Sequence, residues 1–393
     1  MSINLRNKKI LYVSQKAGFF GGVERYIFDT ASILAKNGCA VSGLFLENAR
    51  ELELFSEPFQ KIFRQADIER ILSSGDFDMA FIHKVDSPEL VKALRNKFKT
   101  VVFVHDHDYY CLRRHKYFPF KRINCSLPFN PVYCSLCSGM IQRSQSGFKC
   151  LNVIERVRLL HEIRKCDAFM VMSGFMRDNL IMNKFPKESI FKIYPVRHLS
   201  RFEREDELPG KKPVIIYVGQ LIRGKGVDLM LQALDRLEVD YKAVIVGSNK
   251  DDEFLKALAQ QLGIADKVEF AGWQTEPERF WKEADIAVFP SRWQEPFGLT
   301  GIEAFAHKIP VVGFDVGGVS EWLSDNENGI MVPEKDVAAM ADALLELLGS
   351  PETGKRLGAN GYRYVKEHFS EENFVGGFEL MLDIVLGGQG SYE

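Results

Sequence analysis

Short, almost wholly apolar runs recur through both halves of this 393-residue chain, each followed by a stretch with helical spacing. Runs that are apolar on both faces suit parallel strands buried in a sheet, and the helices between them supply the crossovers. The N-terminal half predicts strands at Lys9–Ser14, Ala40–Phe45, Met79–His83, Thr100–His105, Phe169–Ser173 and Phe191–Tyr194. The C-terminal half predicts them at Val214–Gly219, Ala243–Gly247, Val268–Phe270, Ile286–Pro290, Val311–Phe314 and Ile330–Val332. A polar segment, Arg197 to Lys212 with Pro209-Gly210 near its end, separates the two series and reads as a linker. The expected architecture is α/β, with two Rossmann-like domains at 1–196 and 213–371 and a last amphipathic stretch at 372–393.

The chemistry concentrates in Glu295-Pro-Phe-Gly-Leu-Thr-Gly-Ile-Glu303, which spans a strand-to-helix turn. Glu295 falls in the loop at the strand's carboxyl end. Gly298 gives a phosphate room to approach the backbone, and the free N–H groups at the start of the Leu299–His307 helix favour an anion. Glu303 lies roughly 6 Å up that helix, about one turn. That is about the distance from a diphosphate to its ribose, whose hydroxyls a carboxylate can accept. Read alone, the pair is also compatible with an exposed loop acid and a helix-surface acid.

Pro290-Ser291, Glu295-Pro-Phe297-Gly-Leu299, Glu303-Ala-Phe-Ala306, Pro310-Val-Val312, Gly317-Gly318-Val-Ser-Glu321 and Asn328-Gly329 follow one another in the order and spacing of the large retaining glycosyltransferase family 4, which the chain resembles along nearly its whole length. The resemblance implies the GT-B fold, two Rossmann-like domains facing across a cleft, with residues 372–393 crossing back to the N-terminal domain. It also implies a nucleotide-diphosphate sugar as donor, with Glu303 on its ribose and Glu295 on its sugar. The turn after the first strand, Gly18-Phe-Phe-Gly21-Gly22-Val-Glu24, would line the donor–acceptor cleft. Gly219-Gln220-Leu-Ile-Arg223-Gly-Lys225 opens the second domain, and Lys225 corresponds to the lysine that neutralises the leaving diphosphate. Gln220 departs from the family, where arginine is usual. Either Arg223 supplies that cation from another backbone position, or it is a solvated loop residue.

His105, at the end of a strand and followed by Asp106, is similar to the family histidine near the reacting sugar; a capping or acid-paired histidine is the alternative. Asp106-x-Asp108 imitates a donor-metal motif of the other glycosyltransferase fold, but no catalytic metal is expected. Trp273 either walls the base pocket or belongs to the core. Of seven cysteines, five fall between Asp108 and Glu155, a segment with no acidic residue. Cys125, Cys134, Cys137 and Cys150 have the count for a structural zinc site, with free thiols as the alternative and disulfides third. This Cys-rich insertion, about 109–150, fits a structural role.

Charge is split between the halves. Residues 1–200 hold 31 Lys+Arg and 19 Asp+Glu, a balance of +12, leaving 20 basic and 34 acidic residues, or −14, for the remainder. Within the basic half, Arg113-Arg-His-Lys-Tyr-Phe-Pro-Phe-Lys-Arg122 mixes cations with aromatics. It can rest on an anionic membrane surface, Tyr117, Phe118 and Phe120 inserting shallowly, or it is a solvated loop. No motif supports nucleic acid. With no run approaching the ~20 apolar residues of a membrane span, the chain is expected in the cytoplasm, peripheral on the inner face of the membrane. The expected activity is transfer of a sugar to a hydroxyl of a glycan or lipid-linked acceptor in cell-surface polysaccharide or glycolipid synthesis. A nucleotide-sugar epimerase, a sugar phosphorylase and a scaffold subunit without turnover are the alternatives.

Overall fold

The computed structural model describes residues 5–19, 21–50, 52–118, 123–139, 141–144, 147–150, 152–196, 212–274 and 277–387. Of the proposed linker, Arg197 to Lys212, all but Lys212 lies outside them. The chain divides into two compact units, Met1–Val196 with Glu371–Glu393, and Arg197–Ser370.

The first unit is built on strands β1 (Lys9–Gly18), β2 (Ala40–Arg50), β3 (Lys61–Phe63), β4 (Met79–Ile82) and β5 (Lys99–Phe103). Two short antiparallel hairpins follow, β6 (Tyr117–Phe118) with β7 (Ile123–Asn124) and β8 (Ile141–Ser144) with β9 (Gly147–Cys150). The last strands are β10 (Ala168–Val171) and β11 (Ile190–Lys192). Seven of these form one parallel sheet in the order β11-β10-β5-β4-β1-β2-β3. The strands are apolar on both faces because helices cover both, and Val13, Ile82, Val102 and Phe169 have no exposed surface. The Glu371–Val385 helix belongs to this unit. It buries Phe374, Phe378, Met381 and Leu382, sets Phe378 edge-on to Phe81 at 5.6 Å, and ties its first turn to Lys36 through Glu371 at 2.9 Å.

The second unit holds β12 (Val214–Val218), β13 (Lys242–Val246), β14 (Val268–Gly272), β15 (Ile286–Phe289), β16 (Val311–Phe314) and β17 (Gly329–Val332), a parallel sheet in the order β14-β13-β12-β15-β16-β17. In each sheet the chain winds one way from its first strand and then returns to build the other side. The reversal lies between β1 and β4 in the first unit and between β12 and β15 in the second. In open α/β sheets such reversals leave a crevice at the strands' carboxyl ends, where ligands bind.

Trp322 locks the second crevice from below. Its indole is fully buried, meets Phe289 and Phe305 edge-on at 5.4 and 5.6 Å, and donates from Nε1 to the Phe297 carbonyl at 2.6 Å. Trp322→Ala should destabilise this unit by about 3–5 kcal/mol, the usual cost of emptying a large aromatic site. Urea denaturation followed on the second unit measures it, and a loss below about 1 kcal/mol would contradict this packing.

Candidate functional site at the sheet reversals

After β12 the chain passes through a short 3-10 turn, Arg223–Lys225, before the Val227–Leu234 helix. After β15 it runs through Ser291 to Glu295 and enters the Leu299–Ala306 helix. The two loops are bonded together: Arg292 N–H donates to the Gly224 carbonyl at 2.9 Å. Gly224 is required here, since a Cβ would lie 2.1 Å from the Trp293 ring. The consequence is that Lys225 and Glu295, 70 residues apart, pair at 2.7 Å.

Glu295 is buried, and its Oε1 also accepts from Trp293 Nε1 at 3.0 Å and from the Ser291 hydroxyl. Burial alone would raise this carboxyl, but the Lys225 charge and the hydrogen bonds from Lys225, Ser291 and Trp293 outweigh it and hold the group below its ordinary value. Glu295 is therefore a fixed anion at neutral pH.

A second ionic group adjoins the first. Asp228, also buried, accepts from Arg292 at 2.6 Å through Oδ1 and pairs with Arg223 at 3.2 Å through Oδ2. Arg223 also lies over the Phe254 ring at 5.1 Å. Arg223 is thus an ion-paired residue whose side chain is still 55% exposed to solvent. Arg292 was missed in the sequence, where its partner Asp228 lies 64 residues away. Lys225, Arg223 and Arg292 against Glu295 and Asp228 make three cations and two carboxylates, an excess of one positive charge suited to an anion.

Glu303 is half-buried on the Leu299–Ala306 helix, one turn above its start. The Phe297 ring is buried and packs against Phe369 at 5.8 Å, which anchors the loop. Gly298 has φ +102°, and a Cβ there would lie 2.7 Å from Phe289; the turn itself demands glycine, whatever approaches it. Leu299 starts the helix, and Gly219 follows β12 with its N–H donating to the Val246 carbonyl at 2.9 Å. Trp273, just past β14, is 62% exposed, which rules out the core reading.

In the first unit, β1 leads into Gly21 and Gly22 at the start of the Gly22–Lys36 helix. A Cβ at Gly22 would meet nothing within 4 Å among the described residues, and one at Gly21 only the Glu24 carboxylate at 3.8 Å. Internal packing therefore does not account for glycine here, whereas an outside group approaching the backbone would. Across the reversal β4 ends at His83 and Lys84. His83 Nδ1 and His105 Nε2 are 2.9 Å apart, within hydrogen-bond distance. Burial lowers His83 to about 3 and His105 well below the usual imidazole range, leaving the pair neutral at pH 7. Lys84 Nζ bridges Asp106 at 2.5 Å and Asp108 at 2.6 Å. An ammonium thus holds the position between the two carboxylates that a donor metal would need.

In the Cys-rich segment, Cys111, Cys125, Cys134 and Cys137 interact electrostatically with one another, Lys116 N–H donates to Cys111 Sγ at 3.4 Å, and Asn130 N–H donates to Cys134 Sγ at 3.5 Å. The Cys150 side chain lies outside the described residues. Cys111, absent from the predicted zinc set, stands with the other three. Among the described residues no group of three or more His, Cys, Asp or Glu side chains is arranged to hold a metal ion. The predicted membrane cluster changes more. Lys116 is buried with Nζ on Asn179 Oδ1 at 2.8 Å, Tyr117 and Phe118 are half-buried, and Phe120, Lys121 and Arg122 lie outside the described residues. Among the described residues no helix is long and apolar enough to cross a membrane.

Residues 200–364 match the family described as Glycosyl transferases group 1. The chain is 29% identical over 176 residues to the lipopolysaccharide core biosynthesis glycosyltransferase LpsE of Rhizobium meliloti, covering 45% of this chain and 51% of that protein. It is 28% identical over 373 residues to a D-inositol 3-phosphate glycosyltransferase of Mycobacteroides abscessus, covering 89% of this chain and 81% of the relative. The chain spans about half the length of other curated relatives it matches, such as the N-acetyl-alpha-D-glucosaminyl L-malate synthase of Bacillus anthracis at 51%. Among solved structures, Anabaena HepE in complex with UDP and glucose superposes with a TM-score of 0.73 at 14% identity, over 96% of this chain and 100% of that one. This likeness shows the fold, which is GT-B.

Removing one partner of the buried ion pair should expose its role. Lys225→Met leaves the Glu295 charge buried without its cation and should cost about 3–5 kcal/mol at pH 7. Because the Glu295 pKa is depressed below 4.5 in the folded chain, its stabilisation is present above that value and lost as pH falls through the folded pKa. The gap between wild type and Lys225→Met should therefore narrow on acidification, and Glu295→Gln added to Lys225→Met should recover part of the loss. A gap that is constant with pH in thermal melts would contradict the pairing.

Proposed function

We propose that this protein is a retaining glycosyltransferase of family 4 that moves a sugar from a nucleotide-diphosphate donor to a hydroxyl of a glycan or lipid-linked acceptor, in cell-surface polysaccharide or glycolipid synthesis. The observation that carries this reading is the pairing of Lys225 with Glu295 at the β12–β15 reversal, beside two further guanidinium groups. A diphosphate placed at the start of the Leu299–Ala306 helix meets an excess positive charge and oriented N–H groups. The match of residues 200–364 to a glycosyltransferase family, and relatives named for lipopolysaccharide core and inositol phosphate glycosylation, support the same reading.

The residue roles follow from charge and position. Lys225 stabilises the charge that grows on the leaving diphosphate, with Arg223 and Arg292 as the cations that stand in for the arginine replaced by Gln220. Glu303 accepts from the ribose hydroxyls, and Trp273 offers an exposed ring to the base. Glu295 holds Lys225 in place and faces the donor sugar. His105, fixed by His83, offers a neutral hydrogen-bonding imidazole to the sugar, and Gly21 and Gly22 admit it to the backbone. The acceptor hydroxyl attacks the anomeric carbon on the face the diphosphate leaves, a phosphate oxygen taking its proton, so no protein nucleophile is required. The Lys84 bridge supports a reaction that does not use Asp106 and Asp108 as metal ligands.

Thermal shift with UDP, GDP and ADP sugars identifies the donor, since a ligand that binds only the folded state raises apparent stability. Glu303→Gln should weaken nucleotide diphosphate binding by about tenfold, a loss of about 1.4 kcal/mol. Unchanged affinity, or no stabilisation by any nucleotide sugar, would remove the assignment.

A structural zinc on Cys125, Cys134, Cys137 and Cys150 is proposed from their count and spacing alone, since the described thiols form no group of three arranged to hold a metal ion. Purified protein should contain about one zinc per chain. Cys134→Ser and Cys137→Ser should abolish it, while Cys111→Ser against Cys150→Ser decides which thiol completes the set. Metal-free protein with all thiols titratable would refute the site.

A further inference from the structure

Beside the reversal of the first sheet, His83 Nε2 and the Tyr26 hydroxyl are both enclosed with no hydrogen-bond partner among the described residues. His83 is fully buried just past β4 and is held from several directions. Its backbone N–H donates to the Val13 carbonyl at 2.9 Å, and its carbonyl accepts from the Tyr109 hydroxyl at 2.5 Å. Its ring stacks on Tyr12 at 5.3 Å with the planes 12° apart. His105, just past β5, is set edge-on to Phe103 at 4.2 Å and to Tyr26 at 5.6 Å. The two imidazoles therefore meet in fixed orientations, Nδ1 of His83 against Nε2 of His105.

Both rings are neutral at pH 7, so each carries one N–H and one lone pair, and across the contact one must donate to the other. The direction is decided at the far side of His83. A proton on Nε2 would be an enclosed N–H with no acceptor, because the rings of Tyr12, Phe81 and Phe103 pack about the imidazole and the Tyr12 hydroxyl is taken by Thr30 at 3.2 Å. An enclosed bare nitrogen is the less unfavourable orphan, since buried N–H groups without acceptors are the rarer case in folded proteins. The His83 proton therefore sits on Nδ1 and is donated to His105 Nε2. That leaves the His105 proton on its own Nδ1, which has no partner among the described residues and, unlike His83 Nε2, is not enclosed.

We propose that His83 is a positioning residue whose Nδ1–H fixes His105 as the Nδ1-protonated tautomer, so that His105 presents a hydrogen-bond donor, and no lone pair, to an oxygen of the bound sugar. The proposal deepens the function proposed above and rests on it only for the identity of that oxygen. It has a chemical consequence for the reaction. A ring with its one lone pair already occupied by His83 cannot take the proton of the attacking hydroxyl, which leaves that proton to a phosphate oxygen. It also sets a preference, since the contacted position on the sugar must offer an acceptor such as a hydroxyl or carbonyl oxygen and an ammonium group there would meet donor against donor.

The test reads the protons directly, in the full chain labelled with 15N-histidine at pH 7. Long-range 1H–15N correlation spectra distinguish a protonated ring nitrogen from a bare one, and the signals lost in His83→Asn and His105→Phe assign the two rings. Both rings should show a protonated Nδ1 and a bare Nε2. A proton on Nε2 of either ring would overturn the proposal. Turnover is followed separately, as release of nucleoside diphosphate from UDP-glucose, GDP-mannose and ADP-glucose. His83→Phe should lower kcat by about tenfold with KM changed less than about twofold. His83→Asn, whose amide can donate from nearly the place of Nδ1, should recover most of that loss, and His83→Phe should cost nothing further in a His105→Phe background. Thermal melts check that each variant is folded. A loss that asparagine does not recover, or that adds in full to the loss from His105→Phe, would make His83 a packing residue only and overturn the positioning role. Release from none of the three nucleotide sugars would count against the glycosyltransferase reading, while the spectra would still decide the tautomer.

Discussion

The second unit is organised around a carboxylate kept charged inside it. Glu295 loses most of its water, and an unpaired carboxylate in that position would take up a proton or force the loop outward. Lys225 prevents this at 2.7 Å, helped by Trp293 and Ser291. For the pair to form, the loops after β12 and β15 must touch, and much of the local sequence answers to that demand. Gly224 leaves room for the Trp293 ring, and Gly317 leaves room for the Glu295 backbone, whose carbonyl oxygen would lie 2.3 Å from a Cβ. The Trp322 indole holds the Phe297 carbonyl and so fixes where the Leu299–Ala306 helix begins. The same constraint that buries a charge thereby places a helix start beside a lysine.

Most of the two large sheets was legible because parallel strands buried on both faces carry an unmistakable apolar signal. The Val311–Phe314 strand has the predicted bounds, between Pro310 and Asp315, and the strand from Val214 ends at Val218, one residue before the predicted Gly219. Strand β3 was not legible. Lys61–Phe63 is a three-residue edge strand, and its polar flanks resemble a loop. The β6–β7 hairpin has two residues on each side, too few for any alternation to register. β1 runs on to Gly18, past the predicted Ser14, because its polar residues Gln15 and Lys16 still pair along β2, where Gln15 bonds Glu47 at 2.7 Å.

The candidate site was legible where spacing along one element decides proximity and hidden where proximity is three-dimensional. Glu295 and Glu303 lie on one loop-and-helix segment, so their relation could be read directly. Arg292 could not be ranked above other arginines, since its significance comes from Asp228, 64 residues earlier in the chain. His83 was hidden for the same reason: only the adjacency of β4 and β5 brings it to His105. Asp106 and Asp108 resembled a metal pair because sequence shows two acids and conceals Lys84, which arrives from the end of β4. Phe297 was read as a contact from its place in the motif, yet an aromatic beside a loop glycine is as well used to pin the loop.

The Cys-rich segment shows how a polarity pattern that contradicts local rules carries information. A helix of eight residues gains little from its own hydrogen bonds and in a globular protein is held by burying an apolar face. Here the apolar face is outside, and what points inward is Cys134 and Cys137, toward Cys111 and Cys125. Hydrophobic burial is therefore a minor part of what holds this helix. Its Asn130 cap, the Phe118–Tyr133 ring contact and the gathering of thiols take that part. A segment stabilised in this way is released from the need to put its large side chains in a core, and Val132 and Leu136 remain exposed.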